Sequence, residues 1–153
     1  MKGKAVDHFF HSAVQYCSVI ENFDSNQDEN KFKTLLLSLL DLYSKALHLP
    51  DIDPGKSLKV NVPLPQINFD KYEYYWEVFN PYKIDEPVCG SLSDDTLDIY
   101  KDVKEGIISY QKNHHNEAIW GWKFSFESHW GNHAVDAMRA LHSVNFDEID
   151  DLY

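Results

Sequence analysis

The spacing of apolar residues along the chain predicts helices before anything else. From Ala5 to Asn22, the residues Val6, Phe9, Phe10, Ala13, Cys17 and Ile20 recur three or four apart, so they share one side of a helix. His8 and His11 fall on the opposite, wet side. The run DSNQDEN at 24–30 reads as a turn whose acids suit a helix N-terminus. A second helix follows from about Asn30 to Leu49, with Phe32, Leu35, Leu36, Leu39, Leu40, Tyr43, Ala46 and Leu47 inward and Pro50 as its stop. Residues 50–70 carry Pro50, Pro54, Gly55, Pro63 and Pro65, keep no period, and read as a long loop.

Beyond the loop, YEYYWEVF at 72–79 reads as a short, ring-rich helix ended by Asn80-Pro81. In GSLSDDTLDIYKDVKEGIISYQK, 90–112, Ser91 or Ser93 can cap a helix and Asp94 and Asp95 occupy its first turn. The last and longest helix spans about Asn116 to Val144, and the acidic tail 145–153 frays or docks weakly. Four long helices and one short one, with no sustained strand alternation, predict an all-α, mostly up-and-down bundle. Residues 1–153 are expected to form a single helical domain.

Composition narrows the classes. A hydrophobic fraction of 43% and an aromatic fraction of 14% over 153 residues suffice for one packed core. The formal net charge is −11 and no basic cluster offsets it, which argues against nucleic acid and against anionic membrane surfaces as partners. The most apolar window, LLLSLLDLY at 35–43, is too short to span a bilayer, and Asp41 interrupts it. MKGKAVDHFFHSAVQ lacks the apolar centre of a secretory signal, and Cys17 and Cys89 make no disulfide framework. The expectation is a soluble cytoplasmic protein.

Three segments, VCGSLSDDTLDIYKDVKEG, AIWGWKFSFESHWGNHAVDAMRALH and YCSVIEN, together resemble a family of small bacterial helical proteins known only as a domain of unknown function. The resemblance covers nearly the whole chain. It implies a single helical domain in a bacterial cytosol and no activity, so no catalytic residue carries over from it. Gly121 stands where the resembled pattern has a better helix former.

Candidate chemistry concentrates in FESHWGNHAVDAMRALH, 126–142. At about 100° per residue, Ile119, Trp122, Phe126, Trp130, His133, Ala137 and Leu141 form one stripe, with His129 at its edge about 40° from His133. Glu127 lies about 120° from His133 and about 200° from His129, so the three cannot reach one ion from a regular helix. Glu127 shares a second apolar face with Trp120, Phe124, Gly131 and Met138, and is expected to be buried and paired.

His129 and His133 remain as a pair, and two readings stay open. An i,i+4 pair can chelate a divalent metal if carboxylates complete the set, with Asp98 and Asp102 the candidates; neither HExxH nor paired Glu-x-x-His is present. Alternatively His133 is a core histidine, neutral, with its pKa depressed by burial. The acids Asp94, Asp98, Asp102 and Glu105 make a stripe about 140° from the apolar face of Leu92, Ile99, Val103 and Tyr110, which suits a solvated surface. DDTLD at 94–98 is too short a match to the diphosphate-binding DDxxD motif to carry weight. Cys17 lies on an apolar face as an inert thiol, whereas Cys89 precedes a helix start whose dipole can activate it. There is no Gly-rich phosphate loop.

Two functions follow as expectations. The favoured one is a non-catalytic module that binds a protein or small molecule, using Tyr72, Tyr75, Trp76 and Tyr82. The alternative is a metal-binding helical protein, or metal-dependent enzyme, using His129 and His133 with Asp98 or Asp102. No cofactor other than a divalent metal is suggested by any motif.

Overall fold

Each apolar stripe becomes a helix in the computed structural model, which describes residues 2–56 and 59–147. Helix α1 is Lys2–Glu21, α2 is Lys31–Ala46 and α3 is Leu92–Gln111. Helix α4, His115–Ser125, passes through a π-helical turn at Phe126–Trp130 into α5, Gly131–Phe146. The rest of the acidic tail, 148–153, lies outside the described residues. Among the described residues no helix is long and apolar enough to cross a membrane.

Helix α1 packs on α2 and α3, α5 closes the bundle against the same two helices, and α4 runs along α3. One hydrophobic cluster joins them, with Phe9, Tyr16, Leu35, Leu39, Trp122 and Trp130 wholly enclosed. Burying each such side chain contributes about 1.5–3 kcal/mol. Trp122 comes so close to α3 because Gly106 has no side chain: a Cβ there would lie 1.9 Å from the indole nitrogen. That nitrogen donates to the Val103 carbonyl at 3.0 Å, which satisfies its one polar group.

Several expected positions shift. In α2, Leu42 faces the core, whereas Leu40 and Leu47 are 45% and 61% exposed. Leu40 lies about 130° round from the line of Leu35, Leu39, Leu42 and Ala46, and Leu47 follows the last helical residue. The final helix is not regular throughout. At 126–130 its hydrogen bonds run five residues back, and Gly131 donates to the Phe126 carbonyl. A Cβ on Gly131 would sit 2.5 Å from that oxygen, so glycine is what the turn requires.

The larger correction concerns 72–79, which is not a helix. A 3-10 turn at Asp70–Tyr72 leads into strand β1, Tyr74–Glu77, antiparallel to β2, Val88–Ser91. Tyr75 stands opposite Gly90 and Trp76 opposite Cys89. Aromatic residues in series favour a pleated strand when a partner strand is in reach, since a helix would restrict their rotamers. Gly90 is essential to this ribbon, because a Cβ there would lie 2.4 Å from the Tyr75 ring.

The ribbon is tied directly to the start of α3. Ser91 caps the helix by accepting from the Asp94 amide at 3.2 Å. Glu73 accepts from the Ser91 hydroxyl at 2.6 Å and from the Ser93 amide at 3.0 Å, and its own carbonyl accepts from the Leu92 amide at 2.8 Å. A carboxylate on first-turn amides opposes the helix dipole favourably, and here it also sets where the ribbon sits.

Candidate metal centre

Helix α3 and the π turn leading into α5 bring Asp98, His129 and His133 together. One ligand atom from each lies within 4.8 Å of the others. His133 Nε2 is 3.2 Å from Asp98 Oδ2, and His129 Nε2 is 3.8 Å from the same oxygen. The two imidazole rings meet edge to face with centroids 4.8 Å apart.

The opposite nitrogen of each ring is held by a different carboxylate. His129 Nδ1 is 2.7 Å from Asp102 Oδ2, and His133 Nδ1 is 2.8 Å from Asp95 Oδ1. A carboxylate on Nδ1 selects the tautomer that presents Nε2 to a metal and raises its basicity. Two ligands on a tetrahedral zinc, each at about 2.0–2.1 Å, are about 3.3–3.4 Å apart. The observed 3.2 and 3.8 Å lie on either side of that span, so small side-chain adjustments would fit these donors to such an ion.

Asp95 is the residue that sequence reasoning missed. It is 4% exposed, accepts from the Tyr75 hydroxyl as well as facing His133, and anchors the inner side of the site. Its signal was legible: Asp95 stands three residues after Leu92 and four before Ile99, on the apolar stripe of α3, where an acid needs a partner. Burial raises its pKa, while the hydrogen bonds from His133 and Tyr75 act against that rise. His133 is raised too, chiefly by its bond to Asp95, with burial opposing. The depressed imidazole expected for a core histidine is therefore overturned: the side chain is 27% exposed and the acid beside it outweighs burial.

Behind this pair lie Glu77 on β1 and Asp136 on α5. Burial first, and then the charge of Asp136, raises Glu77; burial also raises Asp136. Glu77 Oε2 is enclosed and forms no hydrogen bond among the described residues. Two carboxyls so placed retain a proton more readily than they carry two charges. Neither residue was singled out from sequence, since their proximity depends on the ribbon.

The other expected positions divide. Asp98 and Asp102, read both as part of a solvated stripe and as carboxylates for the histidine pair, do meet the histidines, Asp98 among the grouped ligand atoms and Asp102 on the Nδ1 side of His129, while Asp94 stays exposed. Glu127 is not buried: its side chain is 63% exposed, with Lys123 at 3.9 Å. Its neighbours Trp120 and Phe124 are 39% and 56% exposed, so the second face of this helix looks outward. On the ribbon, period-two alternation turns Tyr74 and Trp76 outward and Tyr75 inward to Asp95. Tyr75 therefore belongs to the inner cluster, while Tyr82 is fully exposed and Tyr72 partly so. Cys17 is buried, and burial pushes its thiol up to about 12; Cys89 is exposed.

The family described as "Domain of unknown function (DUF5063)" matches residues 2–147. No curated protein matches the chain. Among solved structures, the crystal structure of protein BF1032 from Bacteroides fragilis is similar at 24% identity and a TM-score of 0.76, covering 97% of each chain. That likeness shows the fold alone.

Proposed function

The chain belongs to DUF5063, a family defined without an activity, and from that premise we propose that it holds a divalent transition metal, zinc first, through Asp98, His129 and His133. One observation carries the reading: both imidazoles have Nδ1 engaged by a carboxylate and turn Nε2 toward the same oxygen of Asp98. Two nitrogens and one carboxylate oxygen suit zinc or iron(II) rather than magnesium or calcium. Three protein donors leave a position for water, the composition of sites that bind or activate a small ligand rather than of closed structural sites. The exposure of His129 supports access from solvent.

Zinc added to the full chain should bind at about one equivalent, and removal by chelator should lower the melting temperature. His133→Ala and Asp98→Ala should each abolish both effects. Asp102→Asn, which disturbs only the orientation of His129, should weaken binding about 10–100-fold. Absence of saturable zinc binding at micromolar concentration, or binding undiminished in His133→Ala, would overturn the assignment.

A second reading, a module that binds a protein or small molecule, is supported by the ribbon. Trp76, Phe79 and Tyr82 are 65%, 86% and 96% exposed, with Tyr74 beside them, and rings of this kind are enriched at interfaces. A photoreactive residue at position 82 should capture one discrete partner in cells; diffuse labelling equal to that from an exposed site on α1 counts against it. A bacterial cytosolic setting and a single domain over 1–153 belong to the same proposal. They are supported by two unpaired cysteines and by the Bacteroides fragilis structure of like fold.

A further inference from the structure

Asp102, whose carboxylate holds His129, also lines a cleft of about 540 Å³ formed by α3 and α4 together with Pro54, Gly55, Lys56 and Val60 of the long connection. Its volume is in the range of small-molecule sites. Asp102, Glu105 and Glu117 supply its charge, with Lys56 the cation on its lining. Glu105 and Glu117 take part in no salt bridge among the described residues. Ser109, only 7% exposed, is part of the same wall, and its hydroxyl forms no hydrogen bond with a described residue.

One side of the cleft is aromatic. Trp120 and Phe124, one turn apart on α4, lie parallel with centroids 4.9 Å apart and planes 6° apart. Both remain exposed although the core is within reach of their helix. A third observation is independent of charge and rings. Gly121 lines the cleft in mid-helix, where alanine is the better helix former. Unlike Gly106, which Trp122 requires, a Cβ on Gly121 would meet nothing within 4 Å. No neighbour demands this glycine; what its missing side chain does is leave the cleft floor open.

We propose that this cleft is a second ligand site, for a small molecule that joins one cationic nitrogen, as in an ammonium or amidinium group, to a flat apolar body. The acids neutralise the cation, the ring pair carries the flat part through stacking and cation–π attraction, and the net charge of −11 draws cations toward the surface. The site meets the proposed metal centre at Asp102, which also holds His129 Nδ1 at 2.7 Å, whereas Glu105, Glu117 and the ring pair belong to the cleft and to none of the metal ligands.

The test titrates the full chain with benzamidine, with benzoate as the same ring of opposite charge, and with methylammonium as the cation without a ring. Benzamidine should saturate, while the two controls should bind at least about tenfold more weakly, the worth of one lost interaction. The double variant Glu105→Gln, Glu117→Gln should weaken benzamidine about tenfold or more. Gly121→Leu should abolish binding, and Gly121→Ala should weaken it with a melting temperature no lower than wild type. His133→Ala, which removes a proposed metal ligand, should leave benzamidine affinity unchanged, so failure of the metal assignment and failure of this one are distinguishable. No saturation at millimolar benzamidine, equal binding of benzoate, or full affinity in both Gly121 variants would overturn the proposal.

Discussion

Single side chains here take their character from one or two neighbours. Asp41 interrupts an otherwise apolar run in α2, and Ser12 of α1, 2% exposed, donates to it at 2.5 Å. That bond first, and Lys45 one turn on, hold the Asp41 carboxyl below the ordinary carboxylate range in spite of some burial. A folded pKa below the unfolded one stabilises fully above the unfolded value of about 3.9 and loses that contribution as pH falls through the folded value. Asp41→Ala should therefore cost about 1 kcal/mol at neutral pH, mainly by stranding the Ser12 hydroxyl. The gap between variant and wild type in urea midpoints should narrow below about pH 4. A gap that widens in acid would contradict the sign. Glu127 shows the opposite lesson: its position between apolar residues in sequence said nothing about burial, because its face of the helix has no element packed over it.

At the scale of elements, helix phase was readable and helix irregularity was not. The stripe of Ile119, Trp122, Phe126, Trp130, Ala137 and Leu141 is buried as its spacing requires, yet the π turn within it arises from a hydrogen-bond slip that no periodicity announces. Two glycines in this run should respond oppositely to alanine. Gly131→Ala forces a Cβ toward the Phe126 carbonyl and should destabilise by about 1–3 kcal/mol, as overpacking does. Gly121→Ala meets no atom and should stabilise by up to about 1 kcal/mol. Chemical denaturation of the two variants checks this, and equal shifts in the same direction would mean the turn is not what needs Gly131. The ribbon was missed for a related reason. Strand formation at 74–77 depends on a partner at 88–91, and a four-residue strand carries too short an alternation to be told from a ring-rich helix.

At the scale of the whole molecule, the candidate centre is a product of packing. His129 and His133 share a helix face by spacing, but what they face is set by the contact of α5 with α3 and by the ribbon tied to the start of α3 through Glu73. The acids of α3 were read as one stripe, either solvated or offering Asp98 and Asp102 to the histidines, and the bundle splits them. Asp94 stays in water, Asp98 and Asp102 meet the imidazoles, and Asp95, off that stripe, becomes the buried anchor.

What the sequence determined by itself is the set of long helices, most of their inward faces, a serine cap at 91 or 93 and the i,i+4 histidine pair, because each is local. Propensity, capping and a repeat of 3.6 residues act between groups a turn apart and leave their mark in the order of residues. What only the tertiary structure decided is which carboxylate each histidine meets, which face of the final helix stays wet, and the pairing of β1 with β2. Those contacts join residues 11 to 38 positions apart, and their geometry is set by how already formed elements pack, a choice made by the shape of the whole core rather than by any one segment.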